Sequence, residues 1–144
     1  MAGEKDMPKH EITETPGLSC PFCRRIAAAG SDRDCAAAVS FADLYPLNPG
    51  HTLIVPRRHV FDIYELTLAE RAGLWQLVDD VALAMRAQGG IDGLNIGANV
   101  GEAAGQTVSH AHVHVVPRHK GDVDDPRGGI RWIIPERADY WSTT

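Results

Sequence analysis

Two hydrophobic periods organise the chain. Between residues 67 and 90, Leu74, Leu77, Val78, Val81, Ala82 and Met85 recur at helical spacing and form one apolar stripe. Thr67 with Glu70 three positions later supplies a capping box at the start, and Gly89-Gly90 supplies a stop. Elsewhere the period is two, or the run is short and β-branched. Residues 37–41, 51–56, 94–98 and 110–116 therefore predict four strands. Pro21, the alanines after it and Gly30 predict a short N-terminal helix that carries or follows Cys20-x-x-Cys23. The expected layout is an α+β domain: an antiparallel sheet with a long helix and a short one on one face.

The fourth of these strands differs from the rest. In His110-Ala-His112-Val-His114-Val-Val the polar phase of the alternation is three imidazoles, which share one face while Ala111, Val113 and Val115 pack behind them. Such a face is suited to binding a metal, to chemistry, or to both. A glycine-bearing loop, residues 99–107, leads into it.

Composition adds limits. The 144 residues, 44% hydrophobic and 23% charged, suit one domain with its own core. Residues 1–17 have charges and prolines without periodicity and are expected to be a flexible tail, leaving 18–144 as the domain. A net charge of −5 argues against non-specific nucleic-acid binding. No apolar run has the length of a membrane span or a secretory signal, and three cysteines make no even disulfide framework, so a cytoplasmic protein is expected. Near the end, Trp132, Ile133 and Ile134 favour docking on the chain's own domain or on a partner.

Two constellations emerge. Cys20 and Cys23 supply half of a tetrahedral zinc shell, and His59 and His110 are the candidates to close it as a structural site; the pair read alone is two thiols or a redox couple. Cys35 looks uninvolved. The second constellation is nucleophilic. His112, the middle imidazole, is placed to attack phosphorus through one ring nitrogen, with His114 contacting the same phosphate. Asn99, amides near Gly105 and the Thr107 hydroxyl are candidate phosphate donors. Asp43, just past a strand, is either a turn residue or a carboxylate for the ribose hydroxyls. His51 is either close to this site or a packed rim residue, and His119 stays unassigned.

These motifs resemble the histidine triad (HIT) family. The likeness runs through Phe41-x-Asp43, Pro49-Gly50-His51, the segment ending in His59, Asn99-Val-Gly101, Ala104-Gly105-Gln106-Thr107-Val108 and the triad itself. It implies a HIT-like fold whose sheets join across a homodimer, and a nucleotide hydrolase or transferase acting on phosphoanhydride or P–N bonds. Nucleoside phosphoramidates and dinucleoside polyphosphates are the implied substrates, and a nucleotidyl-histidine on His112 the implied intermediate. Carried over by position, His114, Asn99, Gly105, Gln106 and Thr107 hold the phosphate. Asp43 holds the ribose, and Phe41 or Leu44 lines the base pocket. Cys20, Cys23, His59 and His110 match the ligands of zinc-binding bacterial members. Asn99 and Gly101 resemble the nucleoside-phosphoramidase (Hint) branch, and residues 117–122 the fragile-histidine-triad branch. Arg127 and Arg131 in the tail would add phosphate contacts. The alternative is a zinc-stabilised nucleotide-binding or regulatory module with little turnover.

Overall fold

A computed structural model describes residues 17, 19–28 and 30–142, so the expected tail lies outside the described residues except for Gly17. Helix α1 spans Pro21–Ala27 and is followed by strands β1 (Arg33–Asp34), β2 (Ala38–Ala42) and β3 (Thr52–Pro56). Helix α2 (Leu68–Gln88) then leads to β4 (Gly93–Gly97) and β5 (Val113–Arg118), and a short α3 (Pro135–Ala138) closes the chain. The strands form one antiparallel sheet in the order β1-β2-β3-β5-β4. This is the α+β architecture the periodicities predict. The two-residue β1 has too little pattern to be seen in sequence.

The capping box of α2 forms as expected: the Thr67 side chain accepts from Glu70 N–H, and the Glu70 side chain accepts from Thr67 N–H. Gly89 ends the helix at φ 74°, a conformation costly for residues with a Cβ. Leu74, Leu77, Val78, Val81 and Ala82 are buried against Ala38, Ile54, Ala111, Val113 and Val115. Gly73 allows the close approach: a Cβ there would come within 2.8 Å of the Ala37 Cβ.

The expectation of helices on one face is corrected. The opposite face of the sheet gathers Val39, Phe41, Leu53 and Val55 with Cys20 and Phe22, so α1 packs there, across the sheet from α2. The reason is the parity of the strands. In β3, Ile54 faces α2 while Leu53 and Val55 face α1, and both faces need an apolar cover.

The β5 ladder starts later than expected. It begins at Val113, so His110 and His112 precede the hydrogen-bonded strand. Their alternation nevertheless persists, because Ala111 N–H donates to Val60 O and Ala111 stays in the α2 core. Arg58 fixes the other approach: its guanidinium makes two bonds to the Glu70 carboxylate, at 2.9 and 2.8 Å, tying the segment before His59 to the start of α2.

Candidate active site and metal centre

On the α1 face, two histidine clusters meet end to end. In the first, Cys20 Sγ lies 3.5 Å from His110 Nδ1, and Cys23 Sγ lies 3.6 Å from the same atom. Cys23 Sγ is also 3.2 Å from His59 Nδ1, and all four ligand atoms fall within 4.8 Å of one another. With usual bond lengths, a tetrahedral zinc ion sets its sulfur–nitrogen edges at about 3.5 Å. The donor set therefore fits zinc in spacing and in chemistry. Two further observations agree. Pro56 O lies 2.8 Å from His110 Nε2 and can only accept, so that nitrogen carries the proton and Nδ1 presents its lone pair to the cluster. Burial raises the Cys20 thiol, so a cation among these ligands is what would hold it as thiolate.

The second cluster begins two residues on. His112 Nδ1 is 2.9 Å from His110 O, so Nδ1 carries the proton and Nε2 keeps its lone pair. His112 is buried, lines the cleft, and packs edge-on to Phe22 and His114 at centroid distances of 5.1 Å. Burial lowers its pKa, against the pull of the His110 carbonyl and of Asp43, and so favours the neutral, nucleophilic ring.

His51 settles on the site side of its two readings. Leu47 N–H donates to His51 Nδ1 at 3.1 Å, which leaves the proton on Nε2. That nitrogen is 2.9 Å from His114 Nδ1 and 3.4 Å from Asp43 Oδ2. His114 thus accepts at Nδ1 and, when neutral, carries its proton on Nε2. Burial first, then the neighbouring His112 and His51, push His114 down to about 4, and burial also lowers His51. The signal for His51 was present in strand parity, since residues 51, 53 and 55 share the face of the triad.

Asp43 is a turn residue whose second carboxylate oxygen borders the cleft. Its Oδ1 accepts from Tyr45 N–H at 2.9 Å as a turn residue would, while Oδ2 faces His51 and His114. Leu44, Asn99, Gly105 and Thr107 line the same cleft, whose volume is about 1420 Å³. Gly105 turns the loop at φ 90°, with Asn99 Nδ2 3.8 Å from where a Cβ would stand.

Three expectations change. Gln106 was placed among the phosphate ligands, but its buried amide is taken up by the loop. Its Oε1 accepts from Gly101 N–H, and its Nε2 donates to Phe61 O and Val108 O. The Gly105 amide is likewise held by Glu102 O, so this glycine shapes the turn while its own N–H is engaged. Phe41 is only 1% exposed and lies beneath Phe22 and Arg25, which form the cleft wall in its place. Residue pattern marks Phe41 as a strand residue of that face without telling which layer meets solvent.

The tail arginines do not face a free cleft. Arg127 is paired with Asp125, and Arg131 donates to Ala138 O and Arg137 O. Trp132, Ile133 and Ile134 remain substantially exposed, so the chain's own domain does not cover them. Among the described residues no helix is long and apolar enough to cross a membrane.

Comparison with known proteins bears on these clusters. Residues 32–121, more than half of the chain, match the HIT domain. An uncharacterised HIT-like protein of Saccharolobus solfataricus is 38% identical over 86 residues, 60% of this chain and 62% of that protein. The asymmetrical bis(5'-nucleosyl)-tetraphosphatase of Schizosaccharomyces pombe is 38% identical over 88 residues, 61% of this chain and 48% of that one. The chain thus spans less than two thirds of the length of either relative. Among solved structures, a zinc-bound histidine triad family protein from Mycobacterium smegmatis superposes with a TM-score of 0.66 at 35% identity, covering 73% of this chain and 78% of that one.

Proposed function

The chain belongs to the HIT domain family, and on that premise we propose that it is a nucleotide hydrolase whose nucleophile is His112. Its substrates are nucleoside phosphoramidates or dinucleoside polyphosphates, and it releases a nucleoside monophosphate. The observation that carries this reading is the hydrogen bond from His112 Nδ1 to His110 O, which fixes the lone pair on Nε2 in a cleft shared with His114 and Asp43.

His112 Nε2 attacks the α-phosphorus; an N–P bond forms as the bond from phosphorus to the leaving oxygen or nitrogen breaks. His114 Nε2–H donates a hydrogen bond to the departing atom, which takes its proton from water in the cleft. A second water then attacks phosphorus, the N–P bond breaks back to His112, and the attacking water releases its proton to solvent. His51, bonded to His114 Nδ1, keeps that ring turned toward the phosphate. Asp43 Oδ2 takes the ribose hydroxyls, and Asn99 and Thr107 donate to phosphate oxygens.

Cys20, Cys23, His59 and His110 hold a structural zinc in this reading. The ion fastens α1 to the sheet and takes no part in the reaction. A second copy joins along β4, the longer of the two edge strands of the sheet, where Ile96 is 42% exposed, and covers the apolar tail.

Rapid quench with labelled substrate should trap label on His112, and a chiral phosphorus probe should show net retention. Inversion at phosphorus, or near-normal turnover by His112→Ala, would leave the nucleotide-binding module as the better reading. Light scattering should give about twice the 15.6 kDa chain mass.

A further inference from the structure

Arg25 has donors in the cleft that the proposed reaction does not use. It follows Phe22 by one helical turn on α1, and both side chains line the cleft wall next to Asp43. Its Cζ lies 3.8 Å from the centre of the Phe41 ring, so the guanidinium rests on that face. Nη1 donates to Ala42 O at 2.8 Å, the carbonyl immediately before Asp43. The side chain is half-buried. Two anchors thus fix the plane of the fork, and its remaining N–H groups have no protein acceptor among the described residues.

We propose that Arg25 reads the edge of the nucleobase and selects 6-oxopurines, guanine and hypoxanthine, over adenine. The inference rests on the nucleotide reading of the cleft. Ribose links phosphate to base, so with phosphate at His112 and ribose at Asp43 the base falls on the far side of Asp43, along the α1 wall where Arg25 stands. A guanidinium offers donors only. Guanine and hypoxanthine present O6 and N7 as adjacent acceptors that suit the fork. Adenine presents N7 beside an amino donor, which sets donor against donor. Phe22, a neutral ring on the same wall, supplies contact to any base without discrimination.

The monophosphates are reaction products, so their binding tests this without turnover. GMP, IMP and AMP are titrated calorimetrically into zinc-replete wild type, Arg25→Leu and Arg25→Lys. Wild type should bind GMP and IMP roughly tenfold more tightly than AMP, as one bidentate contact provides. Arg25→Leu should bind all three about equally, with AMP affinity kept, and Arg25→Lys, which has charge without a fork, should lose most of the preference. IMP separates O6 recognition from contacts to the 2-amino group. AMP bound as tightly as GMP by wild type, or a preference intact in both variants, overturns the proposal while the nucleotide reading stands. An equal loss for all three in Arg25→Leu marks a stacking platform and overturns it as well. Wild type binding none of the three overturns it together with the nucleotide reading.

Discussion

His110 and His112 stand two residues apart, face the same side of the sheet, and are set up for opposite tasks. His110 gives its Nε2 proton to Pro56 O and turns Nδ1 to two cysteines and His59. His112 gives its Nδ1 proton to His110 O and keeps Nε2 for the cleft. Each role is chosen by which ring nitrogen finds a backbone carbonyl, a choice of tautomer made by the main chain. The triad spacing puts the rings on one face; the carbonyls divide that face into a cysteine–histidine cluster that fits a metal and a side that opens on the cleft. His114 continues the open side, its Nδ1 held by His51.

The widest separation of the two halves should come from removing the nucleophile. His112→Ala should lower kcat by about 10⁴-fold or more, since the basic ring nitrogens of the neighbouring histidines are already engaged, His51 Nδ1 by Leu47 N–H and His114 Nδ1 by His51. Zinc content and melting temperature should stay near wild type. If metal is lost together with activity, the two clusters are one unit and the division fails.

Cys20→Ser attacks the other half. Cys20 is fully buried and packs with Phe22 beneath the cleft. Loss of its thiolate should remove about one zinc per chain and several kcal/mol of stability, while folded molecules at low temperature retain most of their turnover. Metal analysis and thermal denaturation read the first effect, and an active-site titration reads the second. A metal-free wild-type preparation of unchanged stability would show that the ligand geometry carries no ion of consequence.

The cysteine–histidine cluster and the triad face were both legible in sequence, because they are written in residue type and spacing: Cys-x-x-Cys and a histidine at every second position. The long helix was legible for the same reason, its period and its capping box. Three-dimensional assignments were not. Gln106 sits in the motif beside Gly105, yet its amide staples the loop to the nearby Val108 O and to Phe61 O, a partner 45 residues away in sequence. Arg25 looks like one more solvated charge on a short helix until Phe41 and Ala42 are found against it. Placing α1 on the face away from α2 required knowing which strand residues it covers. Local pattern encodes elements and chemistry; which groups are used up by neighbours is decided by tertiary contacts.

A smaller effect sharpens the division within the open half. His51→Asn shortens the side chain to about the reach of the ring's Nδ1 and so withdraws the donor that Nε2–H offers to His114 Nδ1. Turnover should fall roughly tenfold to a hundredfold, at or below the low end of what direct acid–base catalysis supplies, with KM for the nucleotide little changed and zinc content unaffected. A loss as large as that of His112→Ala would make His51 part of the reacting machinery and enlarge the open cluster.

The smallest effect concerns protons. His114 is held at about 4 in the folded chain, below an unfolded value of about 6.5, with burial the largest cause. As pH falls through 6.5 the unfolded chain takes up a proton that the folded chain refuses until about 4. Stability should therefore be highest above about 6.5, decline between 6.5 and 4, and lose nothing further from this group below that. His51 is shifted in the same direction and adds to the slope. Glu70, lowered to about 2 by its bonds to Arg58, acts on a separate window: its contribution is complete above about 4.5 and disappears as pH falls toward 2. The two windows can be told apart by substitution. Urea unfolding of wild type and His114→Asn at several pH values should differ in slope between 6.5 and 4, by roughly 1–2 kcal/mol in all once solvent screening is allowed for. Below 4 the two curves should run parallel. Equal slopes across the upper window would mean that His114 takes up its proton in the folded state as readily as in the unfolded one. Its neutral Nε2–H donor, and with it the tautomer chain from Leu47 through His51, would then need another basis.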